Sequence, residues 1–144
     1  MTVRFTLDGR AVTGGPDETI LQVATREGVD LPHLCTLERL GYRPGGNCRS
    51  CVVEIEGERV LAPACLRRPS DGMAVRTSSD RARGARRTVL GLLGVHAPAT
   101  PLTLSDELAA AFARAGADAD GGARSGRYET DRSHPAMAVD LNAC

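Results

Sequence analysis

His33-Leu-Cys35, Gly45-Gly-Asn-Cys48-Arg-Ser-Cys51 and Ala62-Pro-Ala-Cys65 are the pieces of sequence on which the reading of this chain turns. Four of its five cysteines fall between His33 and Cys65, with 12, 2 and 13 residues between successive ones. Two thiolates two residues apart reach adjacent positions on one metal centre when a tight turn joins them. The outer two must then come from flanking segments folded back over that turn. Four thiolates are the usual donor set for a 2Fe–2S cluster. Gly45 and Gly46 lack a Cβ, so the backbone around them can approach closely and aim N–H groups at sulfur. Such donors stabilise a cluster that carries net negative charge.

Other uses of four cysteines compete with this one. Structural zinc also takes Cys₄, but its common sites pair two Cys-x-x-Cys knuckles, and one knuckle is present here. A disulfide framework needs an oxidising compartment, and no export signal points to one. A thioredoxin-like pair opens a helix, whereas Cys51 leads into Val-Val-Glu-Ile-Glu, a strand pattern. The cluster is the preferred reading, with Cys35, Cys48, Cys51 and Cys65 as its ligands and zinc as the rival.

The spacing departs from plant-type ferredoxins, whose first gap is four residues. It resembles the 2Fe–2S domain at the N-terminus of the large soluble subunit of respiratory complex I and of related hydrogenase diaphorase subunits. It resembles still more the N-terminus of the alpha subunit of NAD-dependent, molybdenum- or tungsten-containing formate dehydrogenases. The residues that carry this likeness are Leu31-Pro-His-Leu-Cys35, Gly41-Tyr-Arg-Pro-Gly-Gly-Asn-Cys48-Arg-Ser-Cys51, Val53-Glu-Ile-Glu-Gly-Glu-Arg-Val-Leu61 and Ser133-His-Pro-Ala-Met-Ala-Val-Asp-Leu-Asn-Ala-Cys144. It spans residues 1–95, thins over 96–127 and resumes near the C-terminus. The resemblance implies an α+β, β-grasp ferredoxin-like fold and a one-electron relay. The implied partners are redox protein subunits: a molybdopterin-containing formate dehydrogenase and flavin/NAD subunits. A free-standing ferredoxin-like carrier and a zinc-stabilised interaction module are the alternatives.

The 144 residues have room for one small domain and an extension. They have no room for a molybdopterin domain, so no catalytic site is expected in this chain. Eighteen cationic residues, all arginine, balance eighteen acidic ones, so no global field marks a nucleic-acid binder. With aromatics at 3% and no Trp, the core must be aliphatic, and stacking on single-stranded nucleic acid lacks its platform. No apolar run approaches the roughly 20 residues that span a bilayer. No signal peptide precedes the first alternating stretch, and the cysteine count is odd, so a reducing cytoplasm is expected.

Along the chain, Val3, Phe5 and Leu7 alternate with polar residues as a half-buried strand. Asp8-Gly9 makes a hairpin turn to a partner strand at Arg10–Thr13. Asp17 is placed to cap a helix with Ile20, Leu21, Val23 and Ala24 on its apolar stripe and Gly28 at its end. Little regular structure is expected from Asp30 to Arg49. Strands follow at Cys51–Glu56, at Arg59–Ala62 across a Gly57-Glu58 turn, and at Met73–Thr77. A helix from near Ser79 carries Ala82, Ala85, Val89, Leu92 and Leu93 on its apolar face, and another is plausible over Leu104–Arg114. Residues 115–127 have a linker's composition. The expected organisation is a cluster domain at 1–78, a packing helix at 79–95, and a linker and extension at 96–144. That extension ends at Cys144, where the formate dehydrogenase likeness would lead into a 4Fe–4S motif.

Three further signals have plainer readings. His33 as a ligand would need a second histidine for a Rieske-type iron, so a place beside the ligands or at the surface is preferred. His96 stands where complex I-type subunits begin a His-plus-three-Cys motif, but Ala-Pro-Ala-Thr-Pro follows and that second cluster is absent. Seven arginines between 67 and 87 outnumber the two aspartates there. They read as a solvated face, with docking of an acidic partner as the functional alternative.

Overall fold

The computed structural model describes residues 2–36, 44–96, 106–117 and 129–139. The expected alternation in the first residues becomes strand β1 (Val3–Leu7), with Phe5 and Leu7 buried. Asp8 and Gly9 both take positive φ, at 49° and 80°. This backbone matches the twist of the flanking strands in a two-residue hairpin. β2 (Arg10–Gly14) returns antiparallel, with Phe5 facing Val12 across the pair.

Helix α1 (Ile20–Arg26) follows, and its cap differs from the expectation. Thr19, not Asp17, is the N-cap: its side chain accepts from the Gln22 amide, and the Gln22 side chain accepts from the Thr19 amide. Thr-x-x-Gln supplies both halves of a capping box, which Asp17, two residues earlier, cannot. Asp17 instead pairs with Arg68 at 3.3 Å. Gly28, at φ 75°, ends the helix as expected.

The rest of the sheet is β3 (Val52–Ile55), β4 (Ala62–Pro63) and β5 (Ala74–Arg76), in the order β2-β1-β5-β3-β4. β1 and β5 are parallel, and every other pair is antiparallel. The mixed sheet with α1 packed on it is the α+β, β-grasp arrangement. The return strand expected at Arg59–Ala62 is displaced: Ala62 faces Val53 and Pro63 faces Val52. Residues 56–61 form a wider connection, in which Val60 is exposed and Arg81 donates to the Arg59 carbonyl.

The main core lies between α1 and one sheet face, where Ile20, Val23 and Ala24 meet Phe5, Leu7, Val53, Ile55 and Val75. Cys51 and Cys65 belong to the same buried cluster. On a pleated strand Val52 and Glu54 turn to the other face, where helix α2 (Asp80–His96) packs on β3 and Arg81 pairs with Glu54 at 3.6 Å. The buried residues of α2 include Ala82, Arg86 and Leu90, four apart. The expected stripe fails at its end, since Leu92 and Leu93 are 61% and 42% exposed. The buried face follows the i, i+4 row from Ala82 and takes in Arg86, which a hydrophobicity pattern passes over.

Helix α3 (Asp106–Ala115) packs on α2 through the buried pair Ala111 and Phe112. Arg114 reaches Asp30 at 2.7 Å, just ahead of the Cys35 segment. Residues 131 and 139 form a small antiparallel bridge. Most of the span read as a linker, and Cys144, lie outside the described residues.

Candidate metal centre

Three segments bring the four cysteines to one end of the sheet. Cys51 immediately precedes β3 and is 1% exposed. Cys65 follows β4 in a turn and is equally buried. That turn is tied on two sides: the Ala64 amide donates to the Cys51 carbonyl at 3.2 Å, and the first amides of α1 donate into it. Ile20 N–H bonds the Arg67 carbonyl at 2.8 Å and Leu21 N–H bonds the Ala64 carbonyl at 3.0 Å. These are amides that a helix start cannot satisfy internally. The capping box therefore helps to hold the segment that carries Cys65.

Cys35 and Cys48 are half-buried and come from the irregular segments on either side of residues 37–43. Between Cys48 and Cys51, Arg49 takes φ 55°, a left-handed conformation that turns the chain tightly. Gly46, at φ 65°, is buried under Leu66. None of the four cysteines is in a disulfide.

The thiols associate across segments: Cys35 with Cys48, and Cys51 with Cys65. Cys51 also feels the charge of Cys48, so the two cysteines of the knuckle lie near one another, as expected from their spacing. Burial opposes the Cys48 thiolate, but the hydroxyl and amide of Ser50, the amide of Leu34 and the Cys35 thiol together bring its pKa down to about 7. The Cys48 Sγ to Ser50 Oγ distance is 3.0 Å. Burial pushes Cys51 up to about 12; the Cys65 amide works against this, while the charges of Cys65 and Cys48 add to it. The amides turned toward the Cys48 and Cys51 sulfurs are those of Leu34, Ser50 and Cys65.

His33 directs Nδ1 at the Leu31 carbonyl, 2.9 Å away, which orients the ring through its own segment. Sequence reasoning missed Ser50 and Arg86. Ser50 is fully buried against Cys48. A serine between two candidate ligands was the available signal. Arg86 is 7% exposed, and its guanidinium donates to the Thr77 carbonyl. Burial lowers its pKa, Asp8 and then Cys51 act to raise it, and Arg83 lowers it further.

The arginine run is largely neutralised. Arg67 pairs with Glu58, Arg76 with Glu56 at 3.7 Å, and Arg81 with Glu54. Arg68 and Arg83 pair with Asp17 and Asp80. The acidic row at 54, 56 and 58 and the basic run are therefore two sides of one set of ion pairs. This supports the solvated-face reading over an acidic docking partner.

The donor set fits a 2Fe–2S cluster. Soft thiolates suit iron–sulfur chemistry, and four of them are the usual donor set of a 2Fe–2S centre.

Residues 1–80 match the family described as a 2Fe-2S iron-sulfur cluster binding domain. The chain is 45% identical over 92 residues to the NADP-reducing hydrogenase subunit HndD of Solidesulfovibrio fructosivorans, covering 62% of this chain and 16% of that protein. It is 36% identical over 91 residues to the mitochondrial NADH-ubiquinone oxidoreductase 78 kDa subunit of Candida albicans, covering 63% of this chain and 12% of that protein. A crystal structure of NAD+-reducing [NiFe]-hydrogenase in the H2-reduced state superposes with a TM-score of 0.72 at 29% identity, over 99% of this chain and 61% of that chain. The chain thus spans a sixth or less of the length of these two curated relatives. No helix among the described residues is long and apolar enough to cross a membrane. The chain belongs to the 2Fe-2S iron-sulfur cluster binding domain family, as an electron-transfer domain of the kind shared by subunits of NADH-quinone oxidoreductases and NAD-reducing hydrogenases.

Proposed function

We propose that Cys35, Cys48, Cys51 and Cys65 hold the 2Fe–2S cluster and that the chain relays single electrons within a formate dehydrogenase-type, NAD-linked oxidoreductase complex. The observation that supports the ligand assignment is the convergence of these four cysteines, all within the matched residues 1–80, at one end of the sheet. The cluster supplies the redox chemistry. The protein fixes it, covers it and brings it within reach of a partner's cofactor. The partners are a molybdopterin-containing formate-oxidising unit and a flavin/NAD unit, and the compartment is the cytoplasm. Two lines support this: relatives named as NADP-reducing and NAD+-reducing hydrogenases, and the resemblance of residues 133–144 to the formate dehydrogenase alpha subunit. We assign residues 1–78 to the cluster domain, 79–95 to a packing helix and 96–144 to a linker and extension.

Iron and sulfide analysis with visible and electron paramagnetic resonance spectra tests the ligand set. Two irons and two sulfides per chain are expected, with a brown colour that bleaches on reduction; zinc is d¹⁰ and colourless. Replacing Cys35, Cys48, Cys51 or Cys65 by Ala should lose or badly destabilise the centre, whereas Cys144→Ala should spare it. A centre that survives Cys35→Ala and disappears in Cys144→Ala would overturn the assignment. Affinity capture from cells grown on formate, with formate-dependent NAD reduction by the captured complex, tests the partner assignment.

A further inference from the structure

Arg86 is a buried cation without a contacting carboxylate. No acidic side chain lies within ion-pair distance of it among the described residues, and the hydrogen bond seen for its guanidinium is to the neutral Thr77 carbonyl. Burying a charge is costly unless an opposite charge is near. Asp8 is the carboxylate whose charge acts on it most, from beyond contact distance; its oxygens accept from Thr77, N–H to Oδ1 at 2.7 Å and the hydroxyl to Oδ2.

The register shows what else lies close. β3 and β5 run antiparallel, with Ile55 facing Val75 and Glu54 facing Arg76. Thr77 is one residue further toward the start of β3, and Cys51 immediately precedes that strand. Helix α2 packs on β3, so its i, i+4 row of Ala82, Arg86 and Leu90 brings the guanidinium to the cysteine end of the sheet. Arg86, on the α2 face, and the buried Cys51–Cys65 pair, on the α1 face, therefore lie at the same end of the sheet.

We infer that Arg86 is the built-in countercharge of the cluster, a positioning residue that makes the reduced state easier to reach. This rests on Cys51 being a cluster ligand, as proposed above. The oxidised cluster with four thiolates is already anionic, and reduction adds one electron and one further negative charge. No bond forms or breaks, and the electron comes from the one-electron donor used in the titration. A fixed positive charge beside one ligand favours the more negative state, and burial keeps salt from screening it.

The test is a dithionite titration with mediators, followed by electron paramagnetic resonance, on the full cluster-loaded chain and on Arg86→Gln and Arg86→Lys. Gln can still donate to the Thr77 carbonyl but has no charge. Its midpoint should move to more negative potential by the equivalent of on the order of tenfold in the one-electron equilibrium, about 59 mV. Lys should restore most of the wild-type value. A folded, loaded Arg86→Gln protein whose midpoint equals that of wild type would overturn the inference. If Arg86→Gln fails to load, Arg86→Met decides: it fills the same buried place without charge, so its midpoint should also move to more negative potential. An unchanged or higher midpoint in that variant overturns the inference. Cys51→Ser separates the two levels of argument. If that variant keeps the wild-type spectrum, Cys51 is no ligand, and both the ligand assignment and the Arg86 inference fall.

Discussion

Leu66 lies over Gly46 so closely that a Cβ at position 46 would come within 2.4 Å of Leu66 Cδ1 and 3.1 Å of its Cγ. The contact presses the segment before Cys48 against the turn that carries Cys65. Leu66 is 47% exposed and can swing aside, so the clash alone is relievable. The backbone at Gly46 is not: its φ of 65° costs a residue with a Cβ about 1–2 kcal/mol. Gly46→Ala should lower stability by roughly that amount and hasten loss of cluster absorbance. Urea unfolding and the rate of bleaching in air measure the two effects. Wild-type values for both would refute the role given to this glycine.

The thiol environments predict an order of reactivity in the cluster-free protein. The thiolate is the nucleophile, so a Cys48 pKa of about 7 makes its alkylation rise as pH climbs through neutrality. Cys51, at about 12 and 1% exposed, stays protonated and covered over the same range. Iodoacetamide labelling between pH 6 and 8, read by peptide mass spectrometry, should modify Cys48 well before Cys51. The reverse order would contradict the environments described.

Removing the capping box should affect stability more than removing the residue before it. Thr19→Ala loses the side-chain acceptor for the Gln22 amide and should cost about 1 kcal/mol. Asp17→Ala removes only an exposed ion pair with Arg68 and should cost well under 1 kcal/mol. Thermal melts of the two variants, compared at equal cluster loading, decide between them. Equal losses would mean that Thr19 is not the operative cap.

The midpoint potential should be low, on the order of −400 mV as for all-cysteine plant-type clusters, with hydrogen bonds to sulfur and nearby cations able to raise it. Two neutral histidine ligands would place it far higher, above about −150 mV. With Nδ1 of His33 directed at Leu31, His33→Ala should barely move the midpoint. A high midpoint that fell sharply in this variant would make His33 a ligand.

The hairpin, α1 and its apolar stripe were legible in the sequence because each is set by neighbours a few residues apart. So was the cofactor: the four-cysteine spacing pointed to a 2Fe–2S cluster, and the family match agrees. The errors lie where partners are distant in sequence. Asp17 looked like a cap until Gln22 was seen to answer Thr19. The place of β4 depends on where Ala62 and Pro63 meet β3. The inward face of α2 is fixed by the sheet beneath it, which accommodates Arg86 and leaves Leu92 outside. The approach of Cys48 to Cys35, and of Cys51 to Cys65, depends on how three segments converge. No single-segment pattern encodes that.

The bonds from Ile20 and Leu21 to the turn around Cys65 couple the helix to the metal centre. Together with the Ala64 amide on the Cys51 carbonyl, they tie the turn that carries Cys65 to both α1 and the start of β3. Fraying at the first turn of α1 would therefore loosen a thiol far from it in sequence, so helix and centre should be lost together on heating.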